Sequence, residues 1–127
     1  MKYTLDDFSV MSVQYIQYSF EYFLKSMQEC GIKHIDFWGG EPHYSNDKTE
    51  EAQLRLKSIK ELIDSYNMEV VVYTPETLAY PLSYSHPEES VRNRTINYIK
   101  RAIDDALILN CKQVFINSGC GLRDVPA

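Results

Sequence analysis

One pattern runs the length of this chain and limits its fold more than any single residue does. A short run of β-formers is followed by a loop, then by an amphipathic helix, and the cycle repeats. The first run, Phe8 to Val13, leads to Ser19, which can cap a helix with apolar positions at Phe20, Phe23, Leu24, Met27 and Cys30. Gly31 then supplies a left-handed stop. The second run, His34-Ile35-Asp36-Phe37-Trp38, breaks at Gly39-Gly40, and Asp47-Lys48-Thr49-Glu50 opens a second helix. Its stripe is Ala52, Leu56, Ile59, Leu62, Ile63 and Tyr66, with Asn67 as the terminating residue. The third run, Val70 to Tyr73, is continuously apolar, as in a parallel strand covered on both faces. Ser85-His86-Pro87-Glu88 reads as a capping box with proline in the first turn. The longest helix follows, with Val91, Thr95, Tyr98, Ala102, Ala106 and Leu109 on one stripe, widened by Ile99 and Ile103 and closed by Asn110. Val114-Phe115-Ile116 is the fourth run, ended by Asn117-Ser118-Gly119.

Strands that alternate with helices predict an α/β fold with about four parallel strands in sequential order and three covering helices. The 127 residues suit one domain, and they are also about half of the ~250 residues of an eight-stranded α/β barrel. With 44% hydrophobic residues and 24% charged ones, the composition excludes a disordered or collagen-like chain. No apolar run approaches the ~18 residues of a membrane span, and the acidic start Met1 to Asp7 does not read as a secretory leader. A cytoplasmic protein that does not engage membranes is the expectation. The net charge of −5 opposes binding to nucleic-acid phosphates. The three cysteines include no C-x-x-C pair, which argues against zinc fingers, redox pairs and disulfide frameworks. Cys30 and Cys111 are expected to be small buried residues, and Cys120 lies in a glycine-flanked loop.

Parallel α/β folds bind ligands in the loops at the carboxyl ends of their strands. Here those ends carry Trp38-Gly39-Gly40-Glu41-Pro42-His43, Tyr73-Thr74-Pro75-Glu76-Thr77 with Tyr80-Pro81, and Asn117-Ser118-Gly119. Acids, hydroxyls and aromatic rings on one face suit a small polar ligand. Each residue also has a structural reading. Trp38 either packs at the barrel mouth or forms a ligand wall, and His43 either fixes its loop or contacts a hydroxyl or phosphate. Glu76 is the best-placed acid for ligand contact, against a loop-bridging role. Asp36 shares strand parity with Trp38, so it should point inward and needs a partner. Arg92 and Arg94 either reach an anion or lie on an exposed helix face. A metal site within this chain would have to be gathered from Glu41, His43 and Glu76, which is a weak set. No Ser/His/Asp arrangement or phosphate-cradling glycine loop is present.

The blocks Ile35-Asp36-Phe37-Trp38-Gly39-Gly40-Glu41-Pro42-His43 and Tyr73-Thr74-Pro75-Glu76-Thr77 resemble the sugar phosphate isomerase/epimerase family. The resemblance is strongest to its fructoselysine 3-epimerase branch. It implies the xylose-isomerase-like (β/α)8 TIM barrel, with residues 1–127 as its amino-terminal half, truncated before strand five. It also implies a divalent, manganese-like metal that holds a ketose, and two acids that move a proton at C3 through an enediolate. The family's metal ligands and proton-transferring acids sit at strands five to eight. The resemblance therefore gives this chain no catalytic or metal-binding residue and no cofactor of its own. It carries over a substrate-binding wall of Trp38, His43, Glu76 and Ser118 for a sugar, sugar phosphate or fructosamine-type compound.

A half barrel has two unpaired sheet edges, which invite association. Expected partners are therefore a second copy of the chain or a separately encoded second half, and Asp36 and Trp38 should lie open to water. Against an inactive epimerase fragment stands a non-catalytic assembly module that pairs through its edges. A DNA-repair endonuclease of the same superfamily is disfavoured by Glu76 and Ser118, where metal-binding histidines would be needed. A flavodoxin-like domain is disfavoured by the missing phosphate loop.

Overall fold

The computed structural model describes residues 2–46, 49–78 and 82–117. Three strands, β1 (Ser9–Met11), β2 (His34–Gly39) and β3 (Glu69–Pro75), form a parallel sheet in the order β1-β2-β3. They alternate with α1 (Phe20–Glu29), α2 (Glu50–Ser65) and α3 (Glu89–Ile108), and short 3-10 turns at Leu5–Asp7 and Ser12–Tyr15 flank β1. This is the arrangement that the alternating sequence pattern predicts.

The first two helices start where the side chains can cap them. Ser19 Oγ accepts from the Tyr22 N–H at 3.1 Å, and Thr49 Oγ1 accepts from the Ala52 N–H at 3.1 Å. All three helices end alike. Gly31 (φ 73°), Asn67 (φ 54°) and Asn110 (φ 54°) adopt the left-handed conformation. Each donates its N–H back to Gln28, Asp64 or Leu107, and the next residue donates one step further, to Met27, Ile63 or Ala106. Those next residues, Ile32, Met68 and Cys111, are buried, so each stop also turns the chain into the core ahead of the following strand.

The core lies between the sheet and the helices. Phe23, Leu24, Ile35, Phe37, Leu56, Ile63 and Tyr73 have no exposed surface, and Val70 has 2%. Phe37 is their hinge point, edge-on to Phe20 (5.3 Å), stacked on Tyr73 (5.9 Å) and tilted against Tyr44 (6.1 Å). The opposite face of the sheet carries Met11, Asp36, Trp38, Val72 and Thr74. The register skips Val71, with Ile35 opposite Val70 and Asp36 opposite Val72, so a bulge re-aims the end of β3.

Five expectations need correction. The fourth run is a single parallel bridge, Tyr73 to Val114, made by Tyr73 N–H to Gln113 O and Phe115 N–H to Tyr73 O, both 2.9 Å. It is short, and among the described residues it has a ladder on one side only. The capping box at Ser85 to Glu88 does not form. α3 is capped at Glu88 without a side-chain bond, because His86 Nδ1 takes the Glu88 N–H and Arg92 donates to the His86 and Pro87 carbonyls. Cys30 is exposed, since the helix has already turned at its cap, whereas Cys111 is buried as expected. On α3, Ile103 is 51% exposed and Asp105 is 5% exposed, because position 105 sits between Ala102 and Leu109 on the stripe. Trp38 is 8% exposed, so the inner face is not simply open to water there.

Candidate functional site

The carboxyl ends of the three strands meet around Trp38. Just past β1, the fully buried Ser12 accepts the Trp38 backbone N–H on its hydroxyl at 3.0 Å. The chain then turns through Gly39-Gly40, and the indole folds back over that turn. A methyl group built on Gly40 would lie 2.2 Å from Trp38 Cζ2, so only glycine lets the ring settle there. A methyl on Gly39 would lie 2.5 Å from the Tyr73 hydroxyl. Gly39→Ala is accordingly expected to cost about 1–3 kcal/mol through overpacking, measured as a lower urea midpoint. A midpoint equal to wild type would contradict the close approach.

Glu76 stands opposite, one residue beyond β3. Its Oε2 accepts the Trp38 Nε1–H at 2.9 Å, and its Oε1 accepts the Leu78 N–H. Its backbone is tied as well: its N–H donates to Gly39 O at 3.1 Å, and its carbonyl accepts the Tyr98 hydroxyl at 2.7 Å. The loops that follow β2 and β3 are thereby joined by side chain and by main chain. Below them, Thr74 Oγ1 donates to Asp36 Oδ1 at 2.8 Å, which is the partner that an inward carboxylate requires. Burial pushes the Asp36 carboxyl above its ordinary value, and the Thr74 bond opposes that rise in part.

His43 is 5% exposed, and its contacts run to the segment entering α1. Its Nε2 lies 3.0 Å from the Tyr18 carbonyl, which can only accept, so Nε2 carries the proton. The ring packs edge-on to Phe20 at 5.5 Å, and Nδ1 is buried without a hydrogen-bond partner among the described residues. Trp38 and Glu76 are thus brought into direct contact, while the contacts of His43 lie with Tyr18 and Phe20. Ser118, Tyr80, Pro81 and Cys120 lie outside the described residues. Arg92 is engaged with carbonyls at the start of α3, and Arg94 lies on an exposed position of that helix. Glu41 is exposed. Among the described residues, no three His, Cys, Asp or Glu side chains gather as metal ligands would.

Sequence reasoning missed Ser12 and Asp105. Ser12 gave no signal, because its role depends on β1 lying beside β2. Asp105 carries a helix-spacing signal, three residues after Ala102, although a carboxylate is seldom a core residue. Its Oδ2 accepts the hydroxyls of Tyr44 (3.0 Å) and Tyr73 (3.2 Å), which ties α3 to the loop after β2 and to β3.

A family profile described as xylose isomerase-like TIM barrel matches residues 24–127. The chain belongs to the xylose isomerase-like TIM-barrel family. It is 33% identical over 98 residues to fructoselysine 3-epimerase of Shigella flexneri, an alignment covering 77% of this chain and 35% of that enzyme. The chain thus spans about a third of the length of the curated relatives it matches. Among solved structures, a candidate xylose isomerase from Rhodospirillum rubrum superposes with a TM-score of 0.71 at 10% identity, over 84% of this chain and 37% of that one. D-psicose 3-epimerase, solved with D-fructose, superposes with a TM-score of 0.57 at 12% identity, over 78% of this chain and 32% of that one. These two likenesses show the fold. Among the described residues, no helix is long and apolar enough to cross a membrane.

Proposed function

We propose that this chain forms the amino-terminal half of a cytoplasmic sugar isomerase or epimerase. It would act on a ketose or fructosamine-type compound, free or phosphorylated, by metal-assisted proton transfer, and would be inactive without the rest of the barrel. The similarity to fructoselysine 3-epimerase carries this reading, supported by a site mouth assembled at the carboxyl ends of the strands. Trp38, His43, Glu76 and Ser118 are the residues we assign to the substrate wall. A manganese-like ion in such enzymes stabilises the charge that develops on the sugar oxygens. Of the set Glu41, His43 and Glu76, the last two hold partners within the fold and Glu41 is exposed, and no ligand group gathers among the described residues, so they do not fit that ion on their own and no step through it is assigned to them. Their part is to border the site mouth.

The test is turnover of fructoselysine, with manganese present, by the 127-residue chain alone and by the same chain joined to the remaining strands of a fructoselysine 3-epimerase. The chain alone is expected to give none, and the completed barrel to restore epimerisation, a difference of at least about 10⁶-fold in rate. Turnover by the chain alone, or none by a folded completed barrel, would overturn the proposal. A second reading, a non-catalytic module that assembles through its sheet edges, is favoured by Phe115 at 58% and Ile116 at 45% exposure beside the Val114 bridge. Sedimentation of the chain separates them: self-association with no gain of activity in the completed barrel supports the module.

A further inference from the structure

The wall just proposed treats Trp38 and Glu76 as neighbours of a ligand; the geometry points to a division of labour between them, and this inference rests on that reading. We infer that Glu76 is a positioning residue, which acts on a ligand through Trp38 by holding the indole across the Gly39-Gly40 turn.

Both carboxylate oxygens already accept hydrogen bonds, Oε2 from the indole and Oε1 from the Leu78 backbone. Each of these bonds occupies an acceptor site of the carboxylate and fixes its orientation toward the indole and the Leu78 backbone. The indole, for its part, is held at several points. Its backbone N–H is on Ser12, its ring lies over Gly40, and its Nε1–H is on Glu76, leaving 8% of the residue exposed. An indole N–H donates and cannot accept, so burying it requires an acceptor at that spot. The same carboxylate fixes the start of the loop after β3 through Leu78. That side chain bridges two loops at the site mouth that the Glu76 N–H to Gly39 carbonyl bond also joins, and what Trp38 leaves exposed is the surface offered to a sugar.

Glutamine in place of Glu76 keeps the size but has one acceptor oxygen, so its NH₂ faces either the indole N–H or the Leu78 N–H. Trp38 is the only tryptophan, so its emission and its indole proton report on this one site. In Glu76→Gln, emission is expected to move to longer wavelength and acrylamide quenching to rise. The cost of the change in the unfolding equilibrium should be about fivefold larger with Trp38 present than in Trp38→Phe. Unchanged emission and quenching, or equal costs in the two backgrounds, would overturn the inference. If Glu76→Gln does not fold, the wild-type chain decides: slow hydrogen exchange at the single indole N–H is expected, and exchange at the free-indole rate defeats the idea.

These readouts need no sugar, so they can fail while the epimerase reading stands, and the turnover test can fail while they succeed. In the completed barrel, Glu76→Gln and Trp38→Phe are both expected to raise the KM for fructoselysine about tenfold. A fall in kcat of about 10²–10⁴ in Glu76→Gln, with no matching effect in Trp38→Phe, would mark Glu76 as a proton-transfer group instead.

Discussion

Replacing Phe37 with alanine is expected to remove about 3–5 kcal/mol of stability, the usual cost of emptying a fully buried aromatic site. Phe37 has no exposed surface and touches Phe20 of α1, Tyr44 of the loop after β2, and Tyr73 of β3. Its removal therefore opens a void where strand, loop and helix meet, and those elements cannot close on it without shifting the sheet register. Because domains of this size are stable by about 5–15 kcal/mol, the variant should be close to unfolded at 37 °C. Urea unfolding followed by Trp38 emission measures the loss. A loss below about 1 kcal/mol would mean that the site collapses readily and that Phe37 is not the centre of the core.

Asp105 should separate two kinds of substitution. Burial raises its carboxyl above the ordinary value of 3.8, and the hydroxyls of Tyr44 and Tyr73 hold it down in part. A carboxyl raised by folding binds its proton more tightly in the folded chain than in the unfolded one. Its contribution to stability is fully present below the ordinary carboxyl value and is lost as pH rises through the raised one. Asp36, also raised, acts in the same direction. Asp105→Asn keeps an oxygen for the two tyrosines and carries no charge. It should be at least as stable as wild type at pH 7 and lose less stability between mildly acidic and neutral pH. Asp105→Leu removes the acceptor that both tyrosine hydroxyls share, which costs roughly 2–5 kcal/mol in all. Tyr73 cannot relieve this by ionising, because burial, the largest cause that raises its phenol above the ordinary value, persists in the variant. Thermal melts across pH test both variants. An Asn variant with the wild-type pH slope would remove Asp105 as the source of that slope.

The Asp105 variants also test how the site is built. Tyr73 lies against Gly39, and Gly39 accepts the Glu76 N–H, so a disturbance at α3 reaches the loops that hold Trp38. The stripe on α3 was readable from its spacing, yet the residue at its centre is a carboxylate. Its placement makes sense only once the two tyrosines are seen to converge on it.

What the order of residues determined alone was local. Ser19 and Thr49 as caps, Gly31, Asn67 and Asn110 as left-handed stops, and the β-forming runs at 34–38 and 70–73 follow from backbone sterics and from hydrogen bonds a few residues long. The family resemblance rested on the same short strand-end blocks. The tertiary structure decided the partners. Trp38 meets Glu76 across 38 positions and Tyr44 meets Asp105 across 61, and Ser12 finds the Trp38 backbone 26 residues away. Such bonds depend on which strands lie side by side and in what register, and the bulge at Val71 shifts that register midway along β3. Local chemistry fixes where a chain bends, but a buried hydrogen bond needs both ends brought to one place, and only the packed sheet and helices do that.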